Sequence, residues 1–574
     1  MAKIGSLDID LIDQCAEIAP QDLLKLGKGG KKSQVKVIEE ECPTHPHIIL
    51  CDVSLNVRGP FEDKMYANNP KLSKNIRRGN TFMKIYDKYD HTLFKSVQVA
   101  RKGLMKFYEM KQEYIVTDKD FSTYLAKSEP KTRDERIDKQ EESNIRNYIF
   151  APVTQALGKG HCIEVLKTLK ANGKNAQVSW VESEDLWCIA SKNVGILAKN
   201  YQDLGNYDQG DKSRFSCSIM IAEAWFKILD SIKKKGILLS SLKEKLAGKT
   251  LIGEYIGNYY QQHLIKYPKQ SIIFYSIVDN YRSDTNCLLP EEAYDIFEQF
   301  GLYHVPVSRV GVFDNIEMLS DALSHEYNVV SSGSLKIEEE GSVLYMISRT
   351  GEDKWDKVLS LSKLKTLEYR IFRKLRQTLK RFWVKNKNEA RSCPNKQQQY
   401  DKVYQAFCSE SENLVGKNKL PHNFEFYMQL ADAAFNAVRD DPQMLDLLVN
   451  YYVDFLENIL SMHNMDTRLF TSQVFNNPSA IRYNRLDLEN LKVDNTSWYS
   501  RKPNTPYEAL ARNKRSKSSA RSRSRAKSKS KQPEFSKTKS KKEETSQKLD
   551  LNDEMSYEEV KQEMAAYKPK LKQT

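Results

Sequence analysis

The chain has 574 residues, 40% of them hydrophobic, and a formal net charge of +14, which supplies apolar material for several folded cores and excludes a chain disordered throughout. No run approaches the roughly 18 consecutive apolar residues that cross a bilayer, and Met1 to Pro20, with Asp8, Asp10 and Asp13, lacks the basic-then-apolar order of a secretory signal. Nine cysteines without repeated spacing fit reduced thiols rather than a disulfide framework, so the composition predicts a soluble intracellular protein with no membrane partner.

In chain order, residues 1–49 read as an N-terminal extension. Its end, "ECPTHPHIILC", brings together Cys42, His45, His47 and Cys51. These residue types can ligate zinc, but the spacing fits no zinc pattern, and a Pro-rich turn entering a strand explains it as well. From about 48 to 110, "IILCDVSLNV" alternates with turn-like and basic segments and ends in "VARKGLMKFYEM", a small α+β pattern. Residues 110–147, with "KSEPKTRDERIDKQEESN", read as a solvated helix or surface insertion.

From Asn147 to about Arg373 strands dominate, interrupted by an amphipathic helix at "CSIMIAEAWFKILDSIKKK". Within this region "IEVLKTLKANGKNAQVSW" reads strand, tight turn, strand, with Lys170 immediately before the turn of Ala171, Asn172 and Gly173. After Leu367 the pattern becomes helical: Leu445, Leu448, Val449, Tyr452, Phe455, Leu456 and Ile459 recur at helical spacing and predict a bundle core. Residues 488–574 read as a disordered tail. Arg512 to Lys542 holds 14 Lys or Arg against one acid, Glu534, so nearly all the net charge sits there. Such a tail binds phosphate backbones without sequence preference, or serves as a solubilising or nuclear-targeting segment. It tips the expected location from cytoplasm toward nucleus.

Lysines often edge strands, and K-x-x-G alone is a weak signal. Five further segments follow it in order: "WCIASKNVGILAKN" (187–200), "TLIGEYIGN" (250–258), "QSIIFYSIVDN" (270–280), "LKIEEEGSVLYMISR" (335–349) and "LSKLKTLEYRIFRKLR" (361–376). Together they resemble the signature of the covalent nucleotidyltransferases, which include ATP-dependent ligases and RNA capping enzymes. The nearest likeness is to RNA ligases of the phage and trypanosome-editing type, whose K-x-H-G-T-N motif is matched here as K-x-N-G-K-N by Lys170, Asn172, Gly173, Lys174 and Asn175. Upstream, "NVRGPFED" (56–63) and "MKFYEM" (105–110) weakly resemble the "RG" and "KFF" segments of those ligases.

The resemblance implies an α+β fold: an ATP-grasp-like ligase adenylation domain of antiparallel sheets over 50–376, with the charged insertion near 110–147, then an all-α domain over 377–487. It implies that Lys170 attacks the α-phosphate of ATP to form a lysyl–AMP phosphoramidate. A lysine must be neutral to do so, which calls for neighbouring cations, a metal ion or desolvation. Lys363 and Lys365 alternate on a strand, so both reach one face, where they would stabilise the reacting phosphate. Asn172, Gly173 and Asn175 would line the nucleotide site. Lys192 replaces the family's arginine in "ASKN" and loses its planar fork. Lys192 also opens a competing K-x-x-G, "KNVG", which we set aside because it reads as lying inside an apolar strand. Glu254, between glycines, would take the ribose hydroxyls, and Phe274 would stack on adenine, with Tyr275 as the fallback because the two rings point to opposite faces. Glu340 would serve a divalent metal, Mg²⁺ or Mn²⁺. The implied activity joins 5′-phosphate and 3′-hydroxyl RNA ends, with ATP, RNA and end-processing enzymes as partners. A DNA ligase, a capping guanylyltransferase and an inactive RNA-binding protein on the same scaffold are the alternatives. The first two would normally bring an oligonucleotide-binding barrel after the last motif, where this chain reads as helical.

Overall fold

Alternation of apolar and polar residues builds fourteen strands among the described residues, and the period-3.6 segments fill in as helices around and after them. The computed structural model describes residues 18–26, 34–57, 60–116, 121–123, 125, 133–207, 214–257, 264–267, 269–282, 285–332, 339–351, 356–386, 396–415, 424–441 and 444–472. The Lys/Arg/Ser tail and the Arg58–Gly59 pair lie outside them.

The strands are β1 (Val35–Cys42), β2 (His45–Leu55), β3 (Asn80–Tyr86), β4 (Phe94–Lys102), β5 (Tyr108–Glu109), β6 (Cys162–Lys170), β7 (Lys174–Val181), β8 (Leu186–Ala190), β9 (Gly195–Ala198), β10 (Lys249–Ile256), β11 (Ser271–Asp279), β12 (Val307–Phe313), β13 (Gly341–Arg349) and β14 (Lys357–Lys365). They form three sheets, ordered β1-β2-β3-β4, β11-β10-β7-β8-β9 and β12-β6-β13-β14-β5. The first two are antiparallel throughout. The third departs from the expected antiparallel pattern at its edge, where β5 pairs with β14 in parallel through Ser362–Tyr108 and Lys363–Glu109. The first sheet begins at Val35, and β2 runs through residue 50, so a boundary at 50 cuts a strand.

The tight turn after β6 carries the chain from the third sheet into the second. The two sheets share an apolar core in which Leu166, Tyr345 and Leu361 of the third meet Ile252 and Val278 of the second. Helix Ser216–Lys234 covers the far face of the second sheet, its Trp225 ring 5.1 Å from Trp187 and 6.1 Å from Phe274. The far face of the third sheet is covered by helices Arg133–Gly158 and Ile316–Ser331, which pack Ile149, Val153, Leu319 and Leu323 against Leu344 and Met346.

The charged stretch before Asn147 is not wholly a surface insertion. Arg136 to Asp138 are exposed, yet Asn144 and Arg146 are buried. The Arg146 guanidinium lies 4.6 Å above the Phe121 ring and donates to the Val116 carbonyl at 2.7 Å. A helix so rich in charge can hide one face because only every third or fourth residue faces the core.

Beyond β14 the chain is helical: Leu367–Asn386, Lys396–Val415, Phe424–Asp440, Met444–Asn450 and Tyr452–Met462. Leu448, Tyr452, Phe455, Leu456 and Ile459 are buried as their spacing predicts. The continuous helix expected there breaks at Tyr451 (φ −136°, ψ 58°). Among the described residues no helix is long and apolar enough to cross a membrane.

Candidate active site

Lys170 is the last residue of β6, and the sheet register places it beside Gly341, which in turn pairs with Lys365. One row across three strands therefore holds two lysines around the Glu340–Gly341 step. The Lys170 ammonium lies 2.8 Å from Glu340 Oε2 and is 17% exposed. The turn after it is tight because a Cβ at Gly173 would come within 2.5 Å of the Tyr255 carbonyl oxygen. Gly341 sits at φ +146°, where a side chain would strike the Leu364 carbonyl at 2.0 Å. Only glycine lets β13 start this close to β14.

Asn172 is buried and fully engaged. Its Nδ2 donates to Glu340 Oε2 at 3.0 Å, its Oδ1 accepts from Leu264 N at 2.8 Å and Ile265 N at 3.2 Å, and its own amide donates to Tyr267 Oη at 2.8 Å. Rather than reaching for a ligand, it fixes the turn and aims the Glu340 carboxylate.

Two carboxylates flank Lys170 in opposite states. Burial pushes Glu340 up, but Lys170, Lys365 and Arg373 outweigh it and bring the carboxyl down to about 2. Burial likewise pushes Glu254 up, and here it wins: the carboxyl rises to about 8, with Glu340 adding repulsion and Lys170 only partly compensating. Glu254 stands opposite Asn175 in the β10–β7 ladder. Its Oε2 is shut off from solvent and has no hydrogen-bond partner. An orphaned polar atom beside an ammonium is the kind of group a ligand hydroxyl completes.

A wall of cations continues from this row. The Lys363 ammonium lies 5.8 Å from the Phe107 ring centroid, and burial, with Lys106 and Lys365 beside it, depresses its pKa well below the lysine range. Lys365 pairs with Glu109 at 3.0 Å. Lys106 is ion-paired with Asp63, yet burial and Arg78 bring it down to about 8. Lys192 pairs with Glu62 at 2.6 Å. It occupies the turn between β8 and β9 rather than an apolar strand, the turn being closed by Ser191 N donating to the Val194 carbonyl at 3.0 Å.

The structure thus brings Lys170, Asn172, Gly173, Asn175, Lys192, Glu254, Glu340, Lys363 and Lys365 to one region. Phe274 is elsewhere: fully buried, it packs on Trp225 at 6.1 Å and Phe297 at 5.8 Å, on the far side of the sheet. A bulge explains this, since Ile252 pairs with Ser276 and Gly253 with Phe274, leaving Tyr275 unpaired. Tyr275 lies on the site side, near Glu254 and Arg78 and bonded to Asn175, its phenol pushed up by burial and by Glu254.

Sequence reasoning missed Arg78, Glu62, Asp63, and the residues beneath them. Arg101 is fully buried and donates to Thr81 Oγ1 (2.8 Å), Gln177 Oε1 (2.6 Å) and the Ser191 carbonyl (3.0 Å). Gln177 in turn donates to the Arg78 carbonyl (2.7 Å) and Asn175 Oδ1 (2.8 Å). Two side chains tie three site segments together. Gly79, at φ +102°, leaves room for them, since a Cβ there would meet Arg101 at 2.5 Å and Gln177 at 2.6 Å. The available signal was the second Arg-Gly in "NIRRGN", twenty residues after the pair singled out at 58–59.

Set against solved structures, the chain is similar, at low identity and low TM-score, to ATP-dependent RNA and DNA ligases. An archaeal ATP-dependent RNA ligase is 11% identical over 75% of this chain and 82% of that chain, with a TM-score of 0.34. A protein from Aquifex aeolicus assigned as an ATP-dependent DNA ligase is 12% identical over 77% and 80%, TM-score 0.30. A Naegleria gruberi RNA ligase solved with ATP and Mn is 17% identical over 39% and 54%, TM-score 0.25. No family model and no curated protein matches. At these values the likeness names no family, and the reading below rests on the side chains.

Among the described residues no group of three or more His, Cys, Asp or Glu is placed to hold a metal ion. The residues weighed for zinc have other partners: Cys42 Sγ lies 3.4 Å from Tyr207 Oη and His47 Nε2 lies 3.2 Å from Glu184. A Mg²⁺ ion that keeps most of its water needs only one or two carboxylates, and ionised Glu340 fits that requirement.

Proposed function

We propose that this chain is an ATP-dependent RNA ligase with Lys170 as its nucleophile. In the first step the Lys170 amine, having lost a proton, forms an N–P bond to the α-phosphorus of ATP while the bond to the β-phosphate oxygen breaks and pyrophosphate leaves. In the second step a 5′-phosphate oxygen of RNA takes the AMP from Lys170. In the third a 3′-hydroxyl attacks the phosphorus of the RNA 5′-phosphate, the bond from that phosphorus to AMP breaks, AMP departs, and the strands are joined.

The observation that carries this reading is the row Lys170–Gly341–Lys365 with Glu340 on the nucleophile and the orphaned Glu254 Oε2 beside it. Glu254, a protonated acid near neutral pH, can both donate to and accept from ribose hydroxyls. Tyr275 offers a ring on the same side of the sheet for the base. Arg78 offers positive charge to the phosphates, and Lys363, whose pKa burial depresses, holds its proton more firmly once an anionic phosphate lies beside it. Lys192 and Lys106, held by Glu62 and Asp63, flank them. A Mg²⁺ or Mn²⁺ ion at Glu340 would supply charge neutralisation at phosphate oxygens. The helices after β14, where a DNA ligase or capping enzyme would carry a barrel, favour RNA ends as the substrate.

The test is to incubate the protein with 5′-phosphorylated RNA, ATP and Mg²⁺ and to resolve the products. Joined RNA with an adenylated 5′ end as intermediate is expected. Labelling from GTP alone would point to capping, and joining of DNA but not RNA to a DNA ligase.

A further inference from the structure

Between β10 and β11 a short strap, Leu264 to Tyr267, links the turn after Lys170 to the end of the helical region. Leu264, Ile265 and Tyr267 are buried and hold the turn: the first two donate their amides to Asn172 Oδ1, and Tyr267 Oη accepts from Asn172 N. Lys266 engages the helices instead. Its amide donates to the Phe470 carbonyl at 2.8 Å, and its carbonyl accepts from Ser472 N at 2.9 Å. Its ammonium lies 2.8 Å from Glu457 and 3.9 Å from Asp454.

Phe470 is itself anchored. It is fully buried, its ring 5.2 Å from that of Phe372 in an edge-on pair, and the helix carrying Phe372 begins two residues after Lys365. The contacts therefore close a ring, from the row Lys170–Gly341–Lys365 through the helices and the strap back to the turn after Lys170.

The strap sets the direction of one amide. A side-chain amide accepts at one end and donates at the other. With two backbone N–H groups on Oδ1, Nδ2 faces Glu340 Oε2 at 3.0 Å, the same oxygen that holds Lys170 at 2.8 Å. With the strap displaced, the amide can turn its oxygen toward that carboxylate, and two acceptors repel.

We propose that Lys266 is a positioning residue for the nucleophile: by clasping Phe470 and Ser472 it lets the helical region set the geometry of Asn172, Glu340 and Lys170. Self-adenylation then requires the helices in place. The inference rests on the ligase reading for the role of Lys170. The groups assigned to the nucleotide, Glu254, Tyr275 and Lys363, sit on β10, β11 and β14 and are placed by those strands, so the strap bears on the transfer step rather than on ATP binding.

The test compares full-length wild type with Lys266→Glu, with Lys266→Glu combined with Glu457→Lys, and with Ser472→Pro. Lys266→Glu turns attraction into repulsion at a side chain 45% exposed, and Glu457→Lys restores opposite signs across the same gap. Ser472→Pro removes the donor to the Lys266 carbonyl, and Thr471 before it is already extended (φ −100°, ψ 122°), as a residue preceding proline must be. Each protein is followed by transfer of label from α-labelled ATP and by amide hydrogen exchange. In Lys266→Glu, exchange at residues 171–175 should accelerate together with 264–267, roughly threefold to tenfold, with β8 unchanged. The kcat of self-labelling should fall about tenfold in Ser472→Pro and less in Lys266→Glu, and Glu457→Lys should bring Lys266→Glu back toward wild type. KM for ATP should stay within about twofold throughout. A strap that loosens while the turn and kcat keep their wild-type values overturns the proposal, as does a KM that rises as much as kcat falls. If Ser472→Pro loses protection in β8 as well, its fold is lost and the charge pair decides. Strap and turn loosening together in a protein whose wild type never self-labels supports the clasp and overturns the ligase reading.

Discussion

Lys170 and Glu254 face one another across the junction of two sheets. Lys170 has a carboxylate partner 2.8 Å away in Glu340, and Glu254 has an oxygen with none. Under the proposed ligase reading the asymmetry divides the roles: Glu340 would hold Lys170 in place before reaction, and Glu254 would take a ligand hydroxyl.

Glu254 makes a pH prediction. Its folded value of about 8 lies above the ordinary 4.5, so between those values the folded protein keeps a proton that the unfolded chain releases, and stability falls as pH rises through the window. Glu254→Gln removes that penalty. Thermal melts of the variant and wild type should coincide near pH 4 and diverge upward, the variant being more stable at pH 8.5 by up to a few kcal/mol, while ATP binding is lost. Parallel melting curves at all pH values would contradict the assignment.

Glu340 works in the other direction. Its folded value of about 2 lies below 4.5, so its contribution is complete above pH 4.5 and disappears as pH falls toward 2. Glu340→Gln removes the partner of a largely buried ammonium, a change that costs about 3 kcal/mol or more for buried pairs and less for one partly open to solvent. It should also lower self-labelling by about a hundredfold, read by transfer of labelled AMP.

Tyr275 and Phe274 should separate binding from stability. Phe274→Ala empties a site between Trp225 and Phe297 and should destabilise by about 3–5 kcal/mol in urea melts. Tyr275→Ala should leave the melt within about 1–2 kcal/mol of wild type while weakening ATP binding, measured by calorimetry. The reverse pattern would return the base to Phe274.

These two neighbours also show what could be read in advance. That Lys170, Glu340, Lys363 and Lys365 come to one region was legible because each lies in a short local pattern: a lysine before a glycine turn, a carboxylate before a strand-opening glycine, an alternating pair. Phe274 was expected on the side of Glu254, with Tyr275 as the fallback; a single extra residue in β11 puts Tyr275 there instead, and a bulge leaves no mark in alternation. Lys192 was found, but its turn was not, because "IASKNVGILA" is apolar on both sides of it. Arg78 carried a signal in its Arg-Gly step, but the Arg101–Gln177 pair was out of reach for a different reason: its partners lie 76 to 99 residues away, and no local period encodes a hydrogen bond between sheets. The first sheet was read as independent α+β structure, yet it also joins the second through a shared apolar core, in which Met83 and Ala100 meet Cys188 and Leu197, and through Gly195 N donating to Asp52 Oδ1 at 3.0 Å.

The pair carries its own test. Gln177→Leu leaves the Arg101 guanidinium and the Arg78 carbonyl each short of a partner in the interior, a loss of about 1–3 kcal/mol for an unsatisfied group and more for a charged one. Because the bonds position Arg78, Asn175 and Lys192, KM for ATP in self-labelling should rise more than kcat falls, and Gln177→Glu should restore stability in part by pairing with Arg101. A variant that melts lower with KM unchanged would confine the pair to folding.

The most direct measurement is to incubate the protein with ATP and Mg²⁺ and map the modified residue by peptide mass spectrometry. One AMP on Lys170, absent from Lys170→Ala and retained in Lys192→Ala, is the predicted result. AMP on Lys192, or no adduct on a correctly folded wild-type protein, would contradict it.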